Sequence, residues 1–266
     1  MPFEALNIEL PEDNAVGIFG KPGMGKTVFA ERVHEAQTGY SIFINTMWRA
    51  RQGKEASTGP FVRRLDDEAA KLFSARGKLV LNTDEPEVVT DAIVYLEQVF
   101  ETGEYGKCRV FVDECDTFAR CYQNDPKKNA IVRLFSKDRN RHLLGACIAQ
   151  NRSGMVSATI KKNCGAYFIF RLDSGEWDDA CHDYGLRLEL PKYWCYHYDA
   201  GGLALIDPAG NRKVVKAIPT VPTDPDDIHE QDLTEEENHD RDNPQPGESN
   251  PPAEEMGPPD EKDDKT

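Results

Sequence analysis

Short apolar runs alternate with stretches of helical periodicity along residues 15–206 of the chain. The runs have the length and composition of buried strands. They are Ala15–Phe19, Ser41–Asn45, Lys78–Leu81, Arg109–Val112, Gly145–Ala149 and Ala166–Leu172. Because buried strands that alternate with crossover helices form a parallel sheet covered on both faces, the pattern predicts an α/β domain with a mostly parallel central sheet flanked by helices.

Helix signals lie between these runs. Val89, Ile93, Leu96 and Phe100 recur at the spacing of a single helix face, and Pro86 stands just ahead, where it suits the first helical position. The other predicted helices are Lys26–Ala36, one that opens at Asp125-Pro126 and carries Ile131, Leu134 and Phe135, and a short one near Val156–Lys161.

A turn signal near the end of the patterned region predicts a different element. Ala200-Gly201 separates two strand-like segments, Tyr193–Asp199 and Gly202–Ile206. Two such segments joined by a short glycine-containing turn are typical of a β-hairpin. We therefore expect a C-terminal β-hairpin to close the sheet.

Composition changes sharply after residue 218, which divides the chain into a domain over 1–218 and a tail over 219–266. The tail holds 17 Asp or Glu against 3 Lys or Arg, so 14 of the 15 net negative charges fall there. With many prolines and few large apolar residues, it cannot bury enough surface to offset its ordering entropy. We expect a disordered acidic tail, which either keeps the protein in solution or docks a partner by imitating DNA.

Cysteine usage indicates the compartment. Seven cysteines is an odd number, and most stand beside apolar residues inside predicted strands or helices. This is typical of free thiols in a reducing environment. Because no apolar run approaches the ~18 residues of a membrane span and no signal-peptide pattern precedes the domain, we expect a cytoplasmic protein.

A glycine-rich segment between the first strand and the first helix carries the clearest chemistry. It reads Gly20, Lys21, Pro22, Gly23, Met24, Gly25, Lys26 and Thr27, followed by Val28. This fits G-x-x-x-x-G-K-[ST], the Walker A motif, in its required strand–loop–helix context. The glycines let backbone N–H groups point at phosphates, Lys26 reaches the β- and γ-phosphates, and Thr27 ligates Mg²⁺. The sequence therefore predicts an ATP and Mg²⁺ site.

Two adjacent carboxylates follow a later strand. Val110–Val112 is apolar and ends at Asp113 and Glu114, the form of a Walker B motif. At the carboxyl edge of a parallel sheet, Asp113 can hold Mg²⁺, through water in most such sites, and Glu114 can act as the general base toward the attacking water. The alternative is that both are solvated turn residues. We assign no role to Asp116, which belongs to the next turn.

The order of these motifs, with the segment from Arg139 to Asn151 (RNRHLLGACIAQN) and the later Ile169–Leu172 (IFRL), resembles the FtsK–HerA superfamily of DNA-pumping ATPases. More narrowly, it resembles the genome-packaging ATPases of membrane-containing and archaeal icosahedral viruses. The resemblance covers residues 16–172, and only the region around Gln150 is specific to the family. It implies a RecA/FtsK-like P-loop NTPase fold.

The resemblance also implies roles for three further residues. Gln150 matches the polar sensor that contacts the γ-phosphate or the lytic water, and Arg139 best matches the arginine offered in trans to a neighbour's nucleotide, with Arg141 close behind. Other interpretations are that Gln150 only caps a strand and that the arginines form the solvated end of a helix.

Weaker patterns remain open. The loop Thr46–Leu65 carries five Lys or Arg and two aromatic residues, which suits contact with a DNA backbone but equally suits a solvated loop. Lys161-Lys162 is a second, weaker candidate. Four residues, Cys181, His182, Cys195 and His197, could ligate zinc, although they lack the paired spacing of structural sites, so we expect ordinary packing.

Three functions follow from the motifs and the resemblance. The first is an ATP-driven double-stranded DNA translocase, acting as a homo-oligomeric ring that the resemblance makes hexameric, with capsid vertex proteins as possible partners. The second is a non-motor assembly ATPase resembling the zonular occludens toxin-like phage morphogenesis proteins, which usually carry a membrane span. The third is a P-loop kinase, which needs neither the Asp-Glu pair nor a glutamine-tipped strand.

Deleting Pro219–Thr266 should leave the fold and the basal ATPase activity intact, because this segment has no apolar core to contribute. Thermal melting and ATPase assays of the full and shortened chains check this. A large fall in melting temperature would show that the tail contributes to the folded domain.

Overall fold

A computed structural model of the chain describes residues 6, 8–46, 61–120, 124–136, 142–150, 156–184, 186 and 190–217. Within these residues, ten strands form one sheet. The strands are β1 (Ala15–Phe19), β2 (Tyr40–Asn45), β3 (Phe61–Val62), β4 (Lys78–Asn82), β5 (Cys108–Val112), β6 (Leu143–Ala149), β7 (Cys164–Phe170), β8 (Cys195–Asp199), β9 (Gly202–Ile206) and β10 (Arg212–Ala217). The helices are α1 (Lys26–Ala36), α2 (Asp67–Arg76), α3 (Pro86–Phe100), α4 (Cys115–Phe118), α5 (Ala130–Ser136), α6 (Ala158–Asn163) and α7 (Ser174–Tyr184).

The strand order across the sheet is β10-β9-β8-β7-β1-β6-β5-β2-β4-β3. From β7 to β3 each neighbouring pair is parallel, and β8, β9 and β10 add to the β7 side in antiparallel fashion. The carboxyl ends of β1, β5 and β6 therefore meet at one edge, where ligands bind in open α/β sheets. The expected mostly parallel sheet is confirmed.

Each face of the sheet has its own core. On β1, Val16 and Ile18 pack with α1, while Ala15 and Phe19 pack into the larger cluster on the other face. This alternation follows from the two-residue period of a strand. Burying an aliphatic or aromatic side chain in such a core stabilises the fold by roughly 1.5–3 kcal/mol. The two cores together fix β1, and with it the loop that follows, in the middle of the sheet.

The predicted stripe of α3 is confirmed, because Val89, Ile93, Leu96 and Phe100 are all buried. Pro86 stands in the first turn of that helix, as expected. The bounds of the six predicted central strands agree with the structure to within two residues at each end.

The helix expected to open at Asp125-Pro126 begins later, at Ala130. Asp125 instead accepts a hydrogen bond from the backbone N–H of Lys127 at 2.9 Å, which favours a local turn. Asn129 then caps the helix, because its Oδ1 accepts the N–H of Val132 at 3.1 Å. Asn129, and not Pro126, therefore sets the start of α5.

Several elements were not predicted. Helix α2 is capped by Asp66, whose side chain accepts the N–H of Ala69 at 3.0 Å, and it ends at Gly77, which has a φ of 71°. Helix α7 and strand β10 were also missed. The expected C-terminal hairpin, β8–β9, is present, and β10 extends it to three strands. Across the described residues, no helix is both long and apolar enough to cross a membrane.

Candidate active site

The glycine-rich loop leaves β1 in a conformation that few other residues could adopt. Gly20, Gly23 and Gly25 have φ values of 156°, 77° and 96°. A Cβ on Gly20 would lie 2.5 Å from Cβ of Phe170, so β7 approaches the loop too closely for a side chain. The N–H of Lys21 donates to the carbonyl of Arg171 at 2.9 Å. The start of the loop is therefore tied to the end of β7.

Helix α1 begins where the loop ends. Its N-cap is Gly25, in the left-handed region of backbone space, which is reached at little cost without a Cβ. Because Gly25 has no side chain to accept the N–H groups of the first turn, these donors and the positive end of the helix dipole are available to an anion. The loop and helix together form a phosphate-binding nest.

The cation of this nest is Lys26, which is buried. Its Nζ donates to the carbonyl of Lys21 at 3.2 Å, inside the loop itself. Burial lowers the pKa of Lys26, and the charges of Asp113, Asp116 and Glu114 oppose that shift. The Lys26 ammonium group is therefore largely shielded from solvent and close to three carboxylates. When a nucleotide binds, it can replace its hydrogen bond to the Lys21 carbonyl with one to a phosphate oxygen.

The hydroxyl of Thr27 meets the end of β5. Thr27 Oγ1 donates to Oδ1 of Asp113 at 3.1 Å, and the Asp113 side chain is buried. Thr46, at the end of β2, donates from Oγ1 to the backbone carbonyl of Asp113 at 3.4 Å. A hydroxyl and a carboxylate are hard oxygen donors, and Mg²⁺ in nucleotide sites takes one or two carboxylates together with substrate phosphates. These side chains fit a magnesium ion carried by a triphosphate.

The next residue, Glu114, sits in a strained backbone conformation between β5 and α4, with a φ of 46°. Strain of this kind in a residue other than glycine concentrates at functional sites. Its Oε1 accepts a hydrogen bond from Nε2 of Gln150, at the tip of β6, at 3.4 Å. The base and the polar sensor expected from the sequence are therefore in contact.

A pocket of about 220 Å³ lies between the glycine-rich loop and these strand tips. It is lined by Pro22, Gly23, Lys26, Thr27, Asp113, Glu114, Ile148, Ala149 and Gln150. Residues from two strand ends, the glycine-rich loop and the start of α1 therefore surround a single space.

Sequence reasoning missed Asp116. It lies in the first turn of α4 and is buried. Burial raises its pKa, as does the charge of Glu114, while a hydrogen bond from its own backbone and the charge of Lys26 lower it. No helical spacing in the sequence points to it, because Asp113 follows β5 and the left-handed Glu114 separates it from α4. Asp116 adds a third carboxylate to the field around Lys26.

Comparison with known proteins supports this description of the fold. No protein-family model and no curated protein sequence matches the chain. Among solved structures, the DNA-packaging ATPase from Sulfolobus turreted icosahedral virus superimposes with a TM-score of 0.58 at 15% identity, over 78% of this chain and 100% of that one. The genome-packaging NTPase of Sulfolobus turreted icosahedral virus 2 in complex with ATP-gammaS gives 0.54 at 16%, over 78% and 100%. The chain has the fold of a P-loop ATPase.

Several residues to which the sequence assigns a role fall outside the described ranges. Arg139 and Arg141 are among them, as is most of the basic loop Thr46–Leu65. The described neighbour of the arginines is His142, which precedes β6 and so lies at the opposite end of that strand from Gln150. Lys161 and Lys162 lie in the last turn of α6.

The four candidate zinc ligands serve other purposes or lie apart. His197 stacks on Phe168 with ring centroids 4.5 Å apart, and Cys195 is buried in the same strand. Burial raises the pKa of the Cys195 thiol and lowers the pKa of His197, so neither favours its charged form. Within the described ranges, no cluster of three or more His, Cys, Asp or Glu side chains could hold a metal ion. Cys195 and His197 are packed inside β8, whereas His182 is exposed, with Nδ1 3.4 Å from Oδ1 of Asp183.

Lys26→Ala should weaken ATP binding by roughly 100-fold, because the phosphates lose a buried charge-assisted partner. Calorimetric titration of ATP into both proteins measures the loss. The matched control is Lys71→Ala, an exposed lysine on α2, which should change the affinity by less than about twofold. Equal affinity of Lys26→Ala and the unaltered chain would contradict the phosphate-site assignment.

Proposed function

We propose that this chain is an ATPase that hydrolyses ATP with Mg²⁺ and uses the reaction to move double-stranded DNA, as a viral genome-packaging motor does. The observation that carries the proposal is the contact between Glu114 and Gln150 beside the P-loop. A general base in contact with a polar sensor, next to a phosphate nest, suits attack by water on a terminal phosphate.

Hydrolysis would use these groups in a fixed order. The P-loop N–H groups and Lys26 hold the β- and γ-phosphates, and the amide of Gln150 orients a water molecule in line with the γ-phosphorus. Glu114 accepts a proton from that water as its oxygen bonds to phosphorus and the bond to the β–γ bridging oxygen breaks. ADP and inorganic phosphate leave. Thr27 and Asp113 would hold Mg²⁺, which neutralises charge on the phosphate oxygens.

The competing functions fit this arrangement less well. A kinase must exclude water and present an acceptor hydroxyl, whereas here the pocket of about 220 Å³ holds a carboxylate beside an amide, a pair suited to water. The viral proteins of the same fold are named for DNA or genome packaging, and this chain spans their whole length. The first point favours an ATPase over a kinase, and the second favours a packaging motor over a non-motor assembly ATPase.

The resemblance, which assigns an arginine in trans to Arg139 or Arg141, supports a ring of identical subunits. Both arginines come just before His142 in the sequence. His142 itself stands eight residues before Gln150 along the extended strand β6, a separation of roughly 25 Å between those two residues. We propose that one of the two arginines, Arg139 first, completes the site of a neighbour in a ring, which the resemblance makes a hexamer.

DNA contact would use the edge of the sheet that carries β3. Phe61 is 72% exposed there, beside the exposed Arg63 and Arg64. These two arginines line a cavity of about 700 Å³ whose lining also includes Asp66, Glu68 and Glu85, so the basic character belongs to the arginines and not to the cavity as a whole. Apart from the acidic tail, which we propose to be a disordered region separate from the domain, the chain has a net charge of only −1. Local basic side chains can then govern the approach of a phosphate backbone.

Glu114→Gln should retain ATP and Mg²⁺ but lose turnover by at least about 100-fold, since the amide keeps the shape without a basic oxygen. Asp113→Asn should instead raise the Mg²⁺ concentration needed for half-maximal rate by roughly tenfold. Steady-state assays over a magnesium titration separate the two effects. Equal, mild changes in both variants would contradict this division of roles.

Double-stranded DNA should raise the ATPase rate several-fold, and the solution mass with a non-hydrolysable ATP analogue should be that of a closed oligomer. Arg63→Glu with Arg64→Glu should lower the DNA-stimulated rate and leave the basal rate unchanged, because these side chains lie away from the pocket beside Gln150. A monomer whose ATPase ignores DNA, with phosphate passed to a small acceptor, would instead indicate a kinase.

A further inference from the structure

Tyr193 lies on the other side of the P-loop from the catalytic side chains. It stands two residues before β8, whose first residue Cys195 pairs with Phe170 at the end of β7. Since β7 and β6 flank β1 on opposite sides, Tyr193 is at the same sheet edge as the P-loop but on the β7 side. Glu114 and Gln150 are on the β6 side.

The ring of Tyr193 packs directly on the loop. A Cβ built on Gly25 would lie 2.7 Å from Cδ1 of Tyr193 and 3.4 Å from its Cε1. Only a glycine lets the ring come this close to the N-cap of α1. The last glycine of the P-loop therefore has two reasons for its identity, a φ of 96° and the aromatic ring against it.

The fold holds this tyrosine in an unfavourable position. Its φ of 70° is in the left-handed region, which is rare for a bulky side chain. Its ring is nonetheless 49% exposed, so burial of the ring does not offset the strain. Lys192, itself exposed, places Nζ 4.9 Å from the ring centroid. The Lys192 side chain over the ring is long and flexible, so a ligand can displace it.

The pocket beside Gln150 is too small for a whole nucleotide. Its volume of about 220 Å³ is below the roughly 300 Å³ at which small-molecule sites begin. Its lining contains the groups suited to a terminal phosphate, and it stops short of Gly25. The sugar and base of a bound nucleotide must therefore lie outside this pocket. If the γ-phosphate lies beside Gln150 and the phosphate chain runs across the P-loop, the sugar and base come to lie on the β7 side.

We propose that the ring of Tyr193 stacks against the base of the bound nucleotide, with the Lys192 side chain moving off the ring to admit it. This inference rests on the proposed function in one respect, that a nucleoside triphosphate binds at the P-loop. Every base presents a π face, so the ring contributes affinity for a purine nucleotide and does not by itself select one base. Tyr193 is then the residue that distinguishes a nucleotide from a bare polyphosphate.

The test compares ATP with inorganic tripolyphosphate, which has the phosphates and no base. Tyr193→Ala should raise the Kd for ATP by roughly tenfold or more and leave the Kd for tripolyphosphate unchanged. Tyr193→Phe keeps the ring and should bind ATP as the unaltered chain does. Tyr105→Ala is the matched control, because Tyr105 is 47% exposed but lies in the loop before β5, at the opposite sheet edge.

An equal rise in both Kd values for Tyr193→Ala would mean that the ring supports the loop and does not touch the base, and an unchanged Kd for ATP would remove the role altogether. Should Tyr193→Ala fail to fold, photolabelling of the unaltered protein with 8-azido-ATP decides, because the label should fall on Tyr193 or its immediate neighbours. Labelling elsewhere overturns the inference. If the unaltered protein binds neither ATP nor tripolyphosphate, the proposed function itself is wrong.

Discussion

The hydrogen bond from Thr27 to Asp113 joins two segments that are 86 residues apart and on which the whole site depends. Strands β1 and β5 are not neighbours, because β6 lies between them. With strands about 4.8 Å apart, the end of β5 stands roughly 10 Å from the end of β1. The space beyond these strand ends is wide enough for a phosphate group and its metal ion, and Gln150, at the tip of β6, lies between the two ends. The sheet order therefore sets the spacing of the chemistry.

Electrostatics then determine what can bind in the space beyond these strand ends. One buried ammonium, on Lys26, stands among the carboxylates of Asp113, Glu114 and Asp116, and burial raises the pKa of Asp116 while it lowers that of Lys26. A bare triphosphate would add negative charge to a region where carboxylates already outnumber the cation. Like charges this close repel strongly where water is scarce. We therefore propose that a divalent cation accompanies the nucleotide, which agrees with the oxygen donors that Thr27 and Asp113 present.

The sequence allowed the centre of the sheet and the phosphate site to be predicted because their signals are local. A Walker A motif specifies its own strand, loop and helix, and the stripe of α3 needs only its period. The missed features depend on contacts between distant segments. The predicted start of α5 was wrong because Asn129 caps the helix in place of the proline. Residues 212–215 of β10 are exposed and carry no buried-strand pattern, so the strand is defined by its pairing with β9. Tyr193 carries no motif, and only the β7–β8 pairing brings it to Gly25, 168 residues away.

We propose that Glu114 and Gln150 act as one unit on the water that attacks ATP. A double-mutant cycle on single-turnover hydrolysis, with Glu114→Gln, Gln150→Ala and the two combined, tests this directly. Because residues that act together have non-additive effects, the combined variant should be scarcely slower than Glu114→Gln alone, with ATP still bound in all three. Losses that multiply in the combined variant would mean that the two side chains act independently and would contradict a shared catalytic unit.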